Sequence, residues 1–255
     1  MVFFALVGKL FLKSFVSLGK IILFIFLSFK YIFYPRFYFY LNIKYFLRIL
    51  FSSIPIVALT AIFSGMVLAL QSYTGFSRFA AETAIPKIVV ITLTRELGPV
   101  LAGLMVAGRV GGAIAAEIAT MRVTEQIDAL KTLNTNFYNY LVTPKIITLV
   151  VAMPILVTFA DIIGVYGGYL IGTLRLGFNE TVYITNSIDF LSFNDYFSGI
   201  IKSIFFGLII SLMSCYNGLY TSNGSFGVGS ATTNAVVSSS ILILIFNYLL
   251  TELFF

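Results

Sequence analysis

The stretch ILFSSIPIVALTAIFSGMVLAL, Ile49–Leu70, runs 22 residues without a charged side chain. At 1.5 Å per residue a helix of that length reaches about 33 Å, enough to cross the roughly 30 Å hydrocarbon layer of a bilayer. Working outward, four more apolar stretches follow, at 88–121, 146–172, 197–219 and 235–251. The stretch 88–121 would run about 50 Å if straight, so it must overshoot the bilayer or break. Gly98-Pro99 is the expected break point. The pattern predicts an all-α integral membrane protein. Five transmembrane helices (residues 49–255) follow a basic, amphipathic interfacial segment (residues 1–48).

Composition supports this reading. Of 255 residues, 59% are hydrophobic and only 10% are charged, against about 25% charged in a soluble domain. Such a chain lacks the polar surface to cover a soluble globule. It holds no His and a single Cys, Cys215, which removes Ser-His chemistry, Cys-cluster metal sites and an internal disulfide framework. There is no G-x-x-x-x-G-K-[ST] loop to cradle nucleotide phosphates and no G-x-S-x-G elbow. Gly224, Gly227 and Gly229 read as a turn between spans.

The positive charge is concentrated at one end. Residues 1–48 hold seven Lys/Arg and no acid. Their wealth of Phe, Leu and Ile points to a membrane surface, not to nucleic acid. At 100° per residue, Lys9, Lys13 and Lys20 share one face of a helix, opposite Phe4, Phe11, Phe15, Leu18, Ile22 and Phe29. With the N-terminus cytoplasmic, the inside segments carry ten Lys/Arg and the outside segments three, Arg78, Lys87 and Arg175. That asymmetry places the N-terminus in the cytoplasm and the C-terminus outside.

Small residues recur at every fourth position in Gly103–Ala119 and Gly199–Cys215, with a shorter series at Gly164, Gly168 and Gly172. Such ladders let helices approach closely, within one protomer or at a dimer seam, and the intra-protomer reading is preferred. Ionisable groups at membrane depth are expensive and mark candidate sites. Adjacent Arg95 and Glu96 point about 100° apart and therefore meet different partners. They face a cavity that passes a polar substrate, or they form structural ion pairs with groups such as Lys202 or Asp161. Arg109 and Glu117 read as a structural salt bridge in the close-packed region. In Arg122–Leu130, Thr124 is placed to cap a short helix, with Glu125 and Asp128 near its positive end. That helix is either a docking element for a soluble partner or an ordinary solvated loop.

Several runs together, Gly65-Met-Val-Leu-Ala-Leu-Gln71, Thr94-Arg-Glu-Leu-Gly-Pro-Val100, Ala107-Gly-Arg109, Met121–Leu130 and Gly227–Val237, resemble the MlaE/YrbE permeases. These are membrane subunits of MCE-type ABC transporters that move phospholipid between the two membranes of Gram-negative bacteria. The resemblance implies an inner-membrane permease homodimer, a cytoplasmic ABC ATPase and a periplasmic MCE-domain lipid-binding protein. It implies no cofactor in this chain, since ATP is used by the separate ATPase, and so no enzymatic role. Arg122, Thr124, Glu125 and Asp128 would form the ATPase-coupling helix, with Glu125 as its polar anchor. Gln71, Tyr73, Arg95, Glu96, Asp195 and Lys202 would lie near a phospholipid cavity between protomers. From a different class, an ion-coupled secondary transporter would use Arg95, Glu96 and Asp161 as a relay.

Overall fold

The computed structural model describes residues 2–32, 39–77, 84–222 and 224–254, and all regular elements among them are helices. In order they are α1 (Val2–Ile32), α2 (Phe39–Phe76), α3 (Ile85–Val123), α4 (Gln126–Thr132), α5 (Tyr138–Leu174), α6 (Glu180–Phe190), α7 (Phe193–Leu219) and α8 (Ser225–Phe254). Five of them, α2, α3, α5, α7 and α8, are long and apolar enough to cross a membrane. Each contains one of the expected apolar stretches and extends beyond it. The α2 helix begins at Phe39, so it runs without interruption through residue 48.

The expected break at Gly98-Pro99 does not occur. The α3 helix is continuous over 39 residues, about 58 Å at 1.5 Å per residue, and therefore overshoots the hydrocarbon. A π turn at Leu93–Leu97, in which the Gly98 N–H reaches back to the Leu93 carbonyl, takes up the missing proline donor within the continuous helix. A second π turn spans Ala107–Gly111.

The long helices form one bundle in which α2 lies along α5, α5 along α7, and α7 against α3 and α8. The small-residue ladders are buried inside this protomer. A Cβ on Gly65 would collide with the backbone of Gly164, so α2 and α5 meet backbone to backbone there. A Cβ on Gly207 would sit 2.6 Å from the Leu149 carbonyl, which closes α7 onto α5 in the same way. Gly111 faces Ser214 and Ile210 of α7.

On α1, Phe24 and Ser28 are buried. Phe24 seats against the rings of Tyr138, Tyr216 and Tyr220, at centroid distances of 5.9, 5.7 and 6.5 Å. Phe15, Leu18 and Ile22 of the expected apolar arc are exposed. The side chains of Phe4, Lys9, Phe11 and Lys13, together with Arg78, lie outside the described residues.

Candidate functional site

The bundle has an α4 end and an α6 end, and ionisable side chains gather near each. At the α6 end the chain brings α3, α7 and α8 together around Arg95 and Glu96. A capping box starts α7: the Ser192 hydroxyl accepts from the Asp195 N–H at 3.3 Å, and Asp195 Oδ2 accepts from the Ser192 N–H at 3.1 Å. The other oxygen of Asp195 accepts from Arg95 Nε at 2.6 Å, with Nη2 at 2.5 Å. One carboxylate thus caps the start of α7 and holds the arginine.

Glu96, one residue on, turns to other partners, as the 100° rotation requires. Its Oε1 accepts from Lys202 Nζ at 2.7 Å, and its Oε2 accepts from Asn247 Nδ2 at 2.9 Å. Lys202 also donates to the Arg95 carbonyl and to Thr251 Oγ1, both at 2.9 Å. The Arg95 carbonyl is available because Pro99, four residues later, has no N–H to give it. The proline that was expected to break the helix instead frees an acceptor for the buried lysine. Close approach of α7 makes this reach possible, since a Cβ on Gly199 would run into the Thr94 carbonyl of the π turn.

All three donors of Lys202 are used and its side chain is 0% exposed, whereas Arg95 is 31% exposed. Arg95 lines a cavity of about 500 Å³ together with Ser192, Asn194, Asp195, Phe197 and Phe254. Of the expected cavity group, Arg95, Glu96, Asp195 and Lys202 therefore come together, with Arg95 and Asp195 on the wall and Lys202 behind it. Gln71 and Tyr73 are not part of this network. Gln71 is exposed near the end of α2, and Tyr73 packs edge-on against Phe178 at 6.0 Å. Asn247 and Thr251 escaped the sequence reading, although their four-residue spacing on the last span put two polar groups on one helix face.

Asp161 is buried against α3, where a Cβ on Gly98 would collide with its carboxylate. Its Oδ1 has no hydrogen-bond partner, so among the described residues no chain of hydrogen bonds links it through that atom to Arg95 or Glu96.

Toward the α4 end, Glu117 does not pair with Arg109. The two stand eight positions apart, about 12 Å along α3. Glu117 Oε2 accepts instead from Lys145 Nζ at 2.8 Å, and Oε1 from the Tyr45 hydroxyl at 3.1 Å. Lys145 also lies over the Tyr45 ring, 4.6 Å from its centroid.

Between α3 and α5, Asp128 of α4 accepts from Arg122 Nη1 at 2.8 and 2.9 Å and from Lys131 Nζ at 2.8 Å. These bonds, that from Lys131 foremost, hold the Asp128 carboxyl below its ordinary value. Ile127 is buried and ties the helix to the bundle. Thr124 does not cap α4: its hydroxyl donates to the Thr120 carbonyl at 2.8 Å. Glu125 takes the N-cap position with φ 59°, a left-handed conformation, and its side chain is exposed. That tight corner turns α4 away from α3 and leaves Glu125 on the surface.

Comparison with known proteins adds the context for this geometry. The family model described as "Permease MlaE" matches residues 43–253. A probable ABC transporter permease protein of Rickettsia prowazekii is 59% identical over 250 residues, covering 98% of this chain and 96% of the relative. One from Synechocystis is 42% identical over 203 residues, covering 80% and 77%. Another, from Porphyra purpurea, is 40% identical over 186 residues, covering 73% and 71%.

Proposed function

Because this chain belongs to the MlaE permease family of ABC transporter permeases, we propose that it is the subunit through which such a transporter moves phospholipid between inner and outer membranes. The observation that carries the reading is the cavity at the α6 end. It joins a partly exposed guanidinium to the rings of Phe197 and Phe254, a lining suited to a phosphate headgroup and the apolar chain attached to it. The buried Lys202–Glu96 pair supports the wall from behind. Asp195 keeps Arg95 aimed when no lipid is present.

In this reading the protein sits in the inner membrane as a homodimer, with α4 facing the cytoplasm and the α6 end facing the periplasm. The excess of Lys/Arg in the segments on the α4 side supports that orientation. A separate ATPase subunit hydrolyses ATP and docks on α4 through Glu125, which the left-handed corner projects. A periplasmic MCE-domain protein receives or delivers lipid at the α6 end, and this chain supplies no catalytic group.

The test is reconstitution of the complex with its ATPase in vesicles carrying a labelled phospholipid. Movement of the label should require ATP and should fall about tenfold in Arg95→Ala, the loss of a charge-assisted contact. Movement driven by an ion gradient without ATP would replace this reading with the ion-coupled one.

A further inference from the structure

A second cavity, of about 400 Å³, lies between α2, α3 and α5 on the α4 side of the bundle. Its polar wall holds Arg48, Arg109, Lys145 and Glu117, and its apolar wall includes Ile49, Val110 and Ile114. Charge is not balanced there. Glu117 is the one acid among the lining residues, and both of its oxygens are taken, one by Lys145 and one by Tyr45. Lys145 is buried and committed to that pair. Arg48 and Arg109 are exposed to the groove, and among the described residues neither has an ion-pair or hydrogen-bond partner.

Position makes this imbalance meaningful. Arg109 stands about 21 Å along α3 from Val123, well inside an apolar helix, where an uncompensated charge is costly. It also sits in the middle of the π turn Ala107–Gly111, an irregularity that re-aims the side chain and is common at functional sites. Ala113, with only a methyl group, leaves room in the groove beside it. Two arginines therefore line one space that also offers an aliphatic wall. The fork geometry matches phosphate oxygens, and the aliphatic wall matches a hydrocarbon chain attached to them.

We propose that this groove is a phosphate-binding site, with Arg48 and Arg109 as its donors, occupied by the headgroup of a phospholipid from the membrane leaflet on the α4 side. It is separate from the Arg95 cavity and shares no residue with it.

The experiment uses the full chain with its ATPase in a phosphate-free maltoside detergent. Native mass spectrometry then follows retention of added phosphatidylglycerol or of diacylglycerol, which has the same chains and no phosphate. Each titration is repeated in an Arg95→Ala background, so that failure of the first cavity and failure of this groove are told apart. Phosphatidylglycerol should bind about tenfold more tightly than diacylglycerol. Arg48→Gln and Arg109→Gln should each weaken phosphatidylglycerol about tenfold, with and without Arg95→Ala, and leave diacylglycerol unchanged. Arg109→Lys, which keeps the charge and loses the fork, should fall between. Arg48→Gln at the groove rim decides the matter if Arg109→Gln fails to assemble. Inorganic phosphate should not displace the lipid; displacement at comparable concentration would assign the site to a free anion and overturn the lipid assignment. Equal phosphatidylglycerol retention by the wild type and the assembled arginine variants would overturn the site itself.

Discussion

The two ends of α3 carry nearly the same parts arranged to different effect. At the α6 end, Glu96 pairs with Lys202 of α7; toward the α4 end, Glu117 pairs with Lys145 of α5. In each pair the lysine is almost fully buried, at 0% and 1% exposure, and the glutamate is 32% and 39% exposed. Each site also has an arginine set in a π turn, Arg95 or Arg109. The difference is that one site has a second carboxylate, Asp195, where the other has a second arginine, Arg48. Asp195 neutralises Arg95, so the four charges at the α6 end balance, whereas Arg48, Arg109 and Lys145 face Glu117 alone. On the function proposed above, Asp195 would take the arginine back when a headgroup leaves, whereas the groove at the other end has no second acid to compete with a bound anion.

The largest expected effect tests the clamps themselves. Lys202→Ala would leave Glu96 without its cation and Arg95 O without its donor, and should destabilise the protein by about 3 kcal/mol, the low end for a broken buried pair because Glu96 is partly exposed. Thermal unfolding of the purified protein measures this. Lys202→Met combined with Glu96→Gln should recover much of the loss. Lys145→Ala should cost less, about 1–2 kcal/mol, because the groove beside Glu117 admits water. Equal losses at both ends would remove the distinction between the two clamps.

A smaller effect is expected on the ATPase contact. Glu125→Lys should lower ATPase retention about fivefold while leaving the permease folded, as charge reversal at an exposed rim does. Glu125→Gly provides the control: it should keep the corner and relieve about 1 kcal/mol of left-handed strain, yet still weaken docking. Pull-down of the ATPase measures both.

The smallest effect is a pH response at α4. Asp128 titrates below its ordinary value of 3.8 in the folded protein. Its pairs with Lys131 and Arg122 therefore contribute fully above that value, and the contribution is lost as pH falls below it through the depressed native value. Hydrogen-exchange protection of residues 126–132, relative to the intrinsic exchange rate at each pH, should fall only in that acidic window, and Asp128→Asn should abolish the change.

The spans were legible because apolar runs of membrane length with so few charges leave few alternatives. Helix ends were less so: α2 starts ten residues before Ile49 because Lys44 and Arg48 can extend their stems toward the interface without ending the helix. Different directions for Arg95 and Glu96, about 100° apart, followed from helical geometry alone. Their partners did not, because Asp195 and Lys202 are about a hundred residues away, and no local spacing encodes such a contact. Lys145 falls just outside the apolar run 146–172, yet α5 begins at Tyr138 and buries it. The π turns were invisible for a related reason: Gly98-Pro99 announces a disturbed hydrogen-bond ladder, but not whether the helix kinks or widens.

The most direct test of the central claim places a photoreactive phenylalanine analogue at Phe254, on the wall of the Arg95 cavity, and measures phospholipid captured on illumination of the assembled complex. The wild-type cavity should capture phospholipid, and Arg95→Ala should capture about tenfold less while assembling with the ATPase to the same extent. Undiminished capture by an assembled Arg95→Ala complex would contradict the account, and so would a loss of assembly that Asp195→Asn restores, since Arg95 would then serve only its ion pair.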